Sequence, residues 1–344
     1  MDASIIATYR CPMHCSMCNI WANPTSPEDE FKPELLEKLP RLSSVNITGG
    51  EPFVRDDIQQ IAEILMTKTK RIVFSTSGYF PERIIEMARR FPKIGYRISL
   101  EGLSCCNDQL RGRSGGFDRG LKTLLELRRM GIKDIGFGIT VSGNNSHDML
   151  ELYELSRNLD MQFATAAVHN SFYFHKYDND IERTDEVCAD FDELVQRLMK
   201  EKSPKSWFRA FFNTGLINYV RGGKRLLPCE AGSENFFIDP FGNILPCNGM
   251  EEKCWFGTMG NLHDDSFENI WNSAKAQQIR EQVAHCPKNC WMIGSVSPVI
   301  KKYITHVAPW VLKNKLKSLT GGRVDTSQPP FYCAGNTDKK GDKE

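Results

Sequence analysis

The stretch Ser4-Ile-Ile-Ala-Thr-Tyr-Arg10-Cys11-Pro-Met-His-Cys15-Ser-Met-Cys18 runs an apolar segment straight into three closely spaced cysteines. Ser4–Tyr9 reads as a β-strand, so the cysteines fall in the loop beyond its carboxyl end. In parallel α/β folds that is where ligands bind. Three thiolates on one short loop can hold three irons of a [4Fe–4S] cube and leave the fourth iron open to a small molecule. The same thiols can hold zinc, with His14 or a distant residue completing the site.

Outward from this loop, strand and helix signals alternate. A helix around Pro33–Leu39 precedes a second strand, Val45–Thr48. Asp56–Thr69 is amphipathic, with Ile58, Ile61, Ile64 and Leu65 on one side. Arg71–Ser75 is a third strand, and Pro81–Arg90 opens a helix with proline. Tyr96–Leu100 is a fourth strand, and Phe117–Met130 is a helix stopped by Gly131. Ile135–Val141, a helix over Asp148–Leu159 and Phe163–Val168 complete six βα units. The expected class is α/β with a parallel sheet, either open or curled into a partial barrel.

Composition narrows the function. The 344 residues carry 44 Lys+Arg against 43 Asp+Glu, and a net charge of +1 gives no general pull toward nucleic acid. Uncharged stretches such as Met161 to His175 fall short of the roughly 20 apolar residues of a membrane span. The N-terminus lacks the basic and apolar regions of a signal peptide, so a cytoplasmic location is expected. In such a chain 12 cysteines indicate metal or redox chemistry rather than disulfides.

The second strand ends in Thr48-Gly49-Gly50-Glu51-Pro52. Two glycines permit close approach to the backbone, and a carboxylate beside them can bind an ammonium group. Taken together, the Cys11/Cys15/Cys18 loop after strand one and GGEP after strand two resemble the radical S-adenosylmethionine (radical SAM) enzymes. The resemblance covers roughly the first 170 residues and implies a TIM-like partial (βα)6 barrel. It implies that Cys11, Cys15 and Cys18 hold a [4Fe–4S] cluster whose open iron binds SAM. Gly49, Gly50, Glu51 and Pro52 would flank the methionyl ammonium. Ser75 and Ser99 would lie at strand ends against SAM, Glu101 would take ribose hydroxyls, and Arg111 the SAM carboxylate. Asn144 would end strand five in the same style. The family usually has an aromatic before the third cysteine; Met17 stands there and can pack on adenine. The implied chemistry is reductive cleavage of SAM to a 5′-deoxyadenosyl radical that abstracts a substrate hydrogen atom.

The second half differs. Asp185–Lys200 and Trp207–Val220 read as helices, and Phe236–Ile238, a turn through Asp239-Pro-Phe-Gly-Asn243, and Ile244-Leu245 read as a hairpin. Cys229 and Cys247 bracket this hairpin, with Cys286 and Cys290 following. Four such thiols can close a cluster that carries electrons but cannot bind SAM; a structural zinc is the alternative. C-x12-G-x4-C resembles the C-terminal SPASM and shorter twitch extensions of radical SAM enzymes. One auxiliary [4Fe–4S] cluster on Cys229, Cys247, Cys286 and Cys290 is therefore expected, with Cys254 and Cys333 as possible substitutes. Cys105, Cys106 and Cys188 read as packing residues. The expected division is a barrel over 1–183, connecting helices over 184–225, a SPASM/twitch-type segment over 226–293 and a basic tail over 294–344.

In that tail Pro309–Leu319 reads as a proline-started helix, and the stretch from Asp325 as frayed. No acid occurs from Gln282 to Val324, so peripheral contact with anionic lipid is one reading and a solvated lysine face the other. The expected activity is oxidation or other modification of an unactivated C–H bond, with the auxiliary cluster as electron acceptor. A flavodoxin- or ferredoxin-type protein would supply electrons, and His169, after strand six, is a candidate acid or base. The first cysteine at residue 11 leaves no room for a fused leader-binding domain, which favours a small polar or lipid-linked sugar or polyol substrate. Maturation of a ribosomal peptide or a protein side chain is the alternative, and a non-catalytic zinc protein the minor one.

Overall fold

A computed structural model describes residues 1–251 and 254–332. Its first half alternates as the sequence implies: β1 (Asp2–Ile6), β2 (Ser44–Thr48), α1 (Ile58–Lys68), β3 (Ile72–Thr76), α2 (Pro81–Arg90), β4 (Gly95–Ser99), α3 (Ser104–Leu110), α4 (Gly116–Arg129), β5 (Ile135–Val141), α5 (Ser146–Asn158) and β6 (Gln162–Ala167). The segment after Lys32 is a 3-10 turn, Pro33–Lys38. The six strands pair in sequence order, each parallel to the next.

Alternation along the strands separates two environments. Ile5, Ile47, Phe74, Ile98 and Phe137 are fully buried under the helices. The other face carries Ser4, Asn46, Ser75, Ser99, Gly138 and Thr140, which line a cavity of about 340 Å³ inside the curved sheet. These side chains are too small to fill it. A closed (βα)8 barrel packs its interior with large branched residues, whereas this partial barrel stays hollow.

Two long helices, α6 (Thr184–Lys200) and α7 (Pro204–Val220), follow. The chain then returns to the opposite edge of the sheet. β7 (Asn235–Ile238) pairs parallel with β1, and β8 (Asn243–Leu245) and β9 (Gly260–Asn261) extend the same sheet antiparallel. The predicted hairpin is therefore continuous with the barrel: the sheet runs β6-β5-β4-β3-β2-β1-β7-β8-β9. Asp239 holds its turn, accepting from Phe241 N at 3.0 Å and Asn243 N at 2.9 Å, and Gly242 supplies the left-handed residue at φ 81°.

α8 (Phe267–Asn272), α9 (Ala274–Ala284), α10 (Ile293–Lys302) and α11 (Ile304–Leu319) end the described chain. Two expectations for the tail are corrected. The last helix begins at Ile304, and Pro309 lies inside it rather than at its start. Residues after Asp325 do not fray at once: Thr326 donates to Asp192 at 2.5 Å, and Phe331 stacks on Phe211. Among the described residues, several of the tail's cations are engaged with the body. Lys315 Nζ is buried and donates to the Met199 and Glu201 carbonyls at 2.7 and 2.8 Å, capping the end of α6. Lys302 lies 3.0 Å from both Glu230 and Glu234, and Arg323 2.8 Å from Asp192. No helix among the described residues is long and apolar enough to cross a membrane.

Packing at Gly215 of α7 gives a test with a definite sign. A Cβ there would come within 2.1 Å of the Trp291 ring, beside the Cys290 loop. Helix propensity favours Gly→Ala by about 1 kcal/mol, but overpacking costs about 1–3 kcal/mol. Gly215→Ala is expected to lower the denaturation midpoint; an unchanged or higher midpoint contradicts the packing described.

Candidate active site

Beyond β1 the chain is clamped to the end of β2. Gly50 N donates to Thr8 O at 2.7 Å, and Glu51 N to Arg10 O at 2.9 Å. A Cβ on Gly49 would lie 2.4 Å from Thr8 O, and one on Gly50 2.4 Å from Arg10 O. The close approach that these glycines permit is thus made by the cysteine loop's own backbone. From the other side, buried Glu30 accepts from Arg10 Nη2 at 2.8 Å and Thr25 Oγ1 at 2.6 Å. Arg55 donates to Ala7 O and Phe31 O, each at 2.8 Å. This network around Thr8–Arg10 has no local sequence signal, because Glu30 and Arg55 act on a segment 20 to 48 residues away.

Cys11, Cys15 and Cys18 are partly covered and lie near one another. Burial first, then Glu51 and Cys15, push the Cys11 thiol up to about 12; burial and Cys15 do the same to Cys18. Their thiolate form therefore needs a cation, which a metal cluster provides. Arg111 faces both Cys15 and Cys11.

The predicted SAM-contacting residues divide into groups. Glu51 is fully buried, and its carboxylate is engaged internally: it accepts from Thr76 Oγ1 at 2.7 Å, Ser77 N at 2.7 Å, Ser77 Oγ at 2.5 Å and Phe53 N at 3.1 Å. It locks the end of β3 against the glycine turn, and Pro52 begins a buried 3-10 turn beside it. The Gly49 carbonyl accepts from Tyr173 Oη at 3.1 Å.

Glu101 and Arg111 form a buried ion pair at 2.9 Å, and Glu101 also accepts from Thr140 N at 2.7 Å. Burial disfavours Arg111's charge, but Cys15, Glu101, Cys11 and Glu51 outweigh it and hold its pKa above the ordinary value. Its Nε is buried with no partner, a donor aimed at nothing within the described protein. Such an orphan is what an anionic ligand group would satisfy.

Met17 and Asn144 come together, lining a cleft of about 230 Å³ with Ser142, Lys176 and Asn179 at the barrel mouth. Ser75 and Ser99 instead line the lumen, and Ser75 Oγ donates to Asn46 Oδ1 at 2.9 Å. His169 is enclosed against Phe174, its Nδ1 3.4 Å from Ala167 O and its Nε2 unpartnered. Burial lowers its pKa to about 4, so the ring is neutral and a weak base near pH 7.

The second set of thiols converges as the spacing implies. Cys229, Cys247, Cys286 and Cys290 line one cavity with Arg225, Lys288 and Met292. Cys254 is buried in the same wall, placed there by the fold alone. Cys333 lies outside the described residues. Arg225 donates to the Cys290 carbonyl, and its Nη2 is buried without a partner. No three His, Cys, Asp or Glu side chains among the described residues are close enough to share one metal ion. Thiols spread around a common cavity suit a multi-iron cube better than a single zinc.

A small apolar cluster of Ile6, Ile20, Tyr173 and Phe237 lies between the two thiol sets, with Cys18 and Cys247 both packed against it. Outside it opens a cleft of about 340 Å³ walled by Tyr9, Phe172, Tyr173, Phe241, Met250 and Trp255, with Cys247 at its inner side. Sequence reasoning passed over this cleft, whose aromatics come from four separate loops.

Comparison with known proteins agrees with this geometry. Residues 5–156 match the radical SAM superfamily, and residues 229–292 match SPASM, an iron–sulfur cluster-binding domain. The antilisterial bacteriocin subtilosin biosynthesis protein AlbA of Bacillus subtilis is 26% identical over 93% of this chain and 73% of its own. An AdoMet-dependent heme synthase of Methanosarcina barkeri is 24% identical over 78% of this chain and 81% of its own. The solved structure of anSMEcpe with bound AdoMet and Cp18Cys peptide shares the fold, with a TM-score of 0.59 at 12% identity over 91% of this chain and 99% of that one.

Iron counting tests the two thiol sets separately. Wild type is expected to hold about eight irons per chain. Cys11→Ala/Cys15→Ala/Cys18→Ala should hold about four, and Cys254→Ala about eight. A fall to about four in Cys254→Ala would make Cys254 a ligand in place of one of the other four.

Proposed function

We propose that this chain, a radical SAM enzyme with a C-terminal SPASM iron–sulfur domain, modifies an unactivated C–H bond in a peptide or protein side chain. The observation that carries the peptide reading is the aromatic cleft that opens outside the apolar cluster, with Cys247 in its lining. Its walls are mainly aromatic and apolar, with Asp239, Asn243, Asn248 and Thr258 among them, and Phe172, Phe241 and Trp255 stand half-open to solvent at its rim. Such a wall accepts an apolar or aromatic side chain. A sugar or polyol, the first expectation from sequence, is the poorer fit to a wall in which aromatic and aliphatic side chains predominate. The bacteriocin biosynthesis relative supports the same reading.

When the first cluster and SAM are bound, they supply hydrogen-atom abstraction, the hard part of the chemistry. The chain's own residues position and shield it. Cys11, Cys15 and Cys18 are held at the barrel mouth by the β1–β2 clamp. Gly49, Gly50 and Pro52 shape the wall at the methionyl end, and Glu51 keeps that wall rigid. The free Nε of Arg111 takes the carboxylate, while Glu101 holds the guanidinium in place. Met17 and Asn144 flank the cleft for the nucleoside. Tyr173 and Phe174 cover the apolar cluster and exclude water from the space between the thiol sets. Cys229, Cys247, Cys286 and Cys290 would hold the auxiliary cluster, which would supply an electron acceptor, and Cys247 also lines the aromatic cleft. A flavodoxin- or ferredoxin-type donor would reduce the first cluster.

Phe172→Ala/Trp255→Ala should raise KM for the peptide substrate at least ~10-fold, equivalent to losing about 1.4 kcal/mol of apolar contact. Its peptide-free formation of 5′-deoxyadenosine should be unchanged. The probe is a short peptide carrying an apolar or aromatic side chain, and its mass is expected to fall by two hydrogens. An unmodified peptide with turnover of a tetrapyrrole or a sugar would overturn the reading.

A further inference from the structure

A second cavity, of about 530 Å³, lies at the end of the barrel opposite the cysteines, between β6, α6, α7 and α10. Its polar end is unusual. Gln162 Oε1 accepts from Arg97 Nη2 at 2.9 Å, Lys205 Nζ at 2.5 Å and Arg209 Nη2 at 3.1 Å. An amide oxygen is uncharged and has two lone pairs, so three cations converge on an acceptor that cannot neutralise one of them. Arg71 adds a fourth cation. Asp134 pairs with both Arg71 and Arg97, and Glu201, which also faces Arg209, is held by Arg157 at 2.8 Å. Lys301, at the cavity's margin, sits 3.8 Å from Asp2. The repulsion is felt by the cations themselves. Burial and then Arg209 and Arg97 lower Lys205 to about 8, and burial and then Arg97 lower Arg209 to about 10.

The remainder of the cavity is mostly apolar, formed by Leu194, Leu198, Phe208, Phe212, Ile300 and Ile304, with Thr165, Asn213 and Ser297 also in its lining. Ile304 is 40% exposed at the rim, and from it an exposed row of Leu312, Leu316 and Leu319 runs along α11. A cationic head site joined to a mostly apolar cavity has one natural complement.

We propose that this cavity binds an anionic amphiphile, a single hydrocarbon chain ending in a carboxylate or phosphate. The head group displaces Gln162 as the shared partner of Arg97, Lys205 and Arg209, forming charge-assisted bonds. The chain lies along Leu198, Phe208, Ile300 and Ile304. The site is separate from the cysteines and does not depend on the peptide reading.

Calorimetric titration of the cluster-loaded full chain tests it, with dodecyl phosphate below its micelle concentration, inorganic phosphate and phosphatidylglycerol vesicles as probes. Dodecyl phosphate should bind one per chain and at least ~10-fold more tightly than inorganic phosphate. Lys205→Gln/Arg209→Gln should weaken it at least ~10-fold, and Ile304→Ser should weaken it while leaving inorganic phosphate unaffected. Both variants should keep wild-type 5′-deoxyadenosine formation, which shows that they fold. Absence of saturable binding, equal affinity for inorganic phosphate, or full affinity in the double variant would overturn the proposal. Binding to vesicles alone would replace it with a surface contact.

Discussion

The structure depends on one backbone contact, between the end of β2 and the segment that leads into Cys11. Gly49 and Gly50 have no side chain, so Thr8 and Arg10 carbonyls can sit where a Cβ would otherwise be. The two hydrogen bonds that follow fix the cysteine loop at the barrel mouth. Glu51, saturated by donors from Thr76, Ser77 and Phe53, transmits that position to β3. A side chain on either glycine clashes with backbone, and loss of Glu51 leaves its buried donors unpaired, each costing more than a lost contact. The same residues that carry the motif are therefore structural before they are chemical.

The second half extends this rigidity. Because β7 pairs with β1 in parallel, the hairpin bracketed by Cys229 and Cys247 belongs to the same sheet as the first cysteine loop. The two thiol sets are then held on either side of the cluster of Ile6, Ile20, Tyr173 and Phe237. A dry, apolar separator suits electron movement between sites without admitting water to the reacting centre. The tail helices complete the arrangement, with Lys315 buried on the end of α6 and Trp291 fitted against Gly215.

Much of this was legible in the sequence where the signal is local. Strand-loop periodicity located the six parallel strands, and the Cys11 and GGEP motifs appear at the strand ends where they were expected. The hairpin was found from its Asp-Pro-Phe-Gly-Asn turn. What was missed is non-local. No pattern tells that β7 will pair with β1, more than 230 residues away. Glu101 and Arg111 were each singled out, but their pairing follows from α3, a short helix with no capping signal. Pro309 was misread as a start signal because α11 begins before it, at Ile304. The convergence of Arg97, Lys205 and Arg209 on Gln162 joins two elements, and nothing in either stretch announces it.

The central claim is that the β1–β2 clamp places an open iron against SAM. Electron paramagnetic resonance of the reduced protein, with and without SAM, measures this in wild type and in Gly50→Ala. In wild type, SAM should change the signal of the cluster held by Cys11, Cys15 and Cys18. In Gly50→Ala that response should be lost, while the signal of the second thiol set persists. An unchanged wild-type signal, or a Gly50→Ala signal that responds as wild type does, would contradict the account.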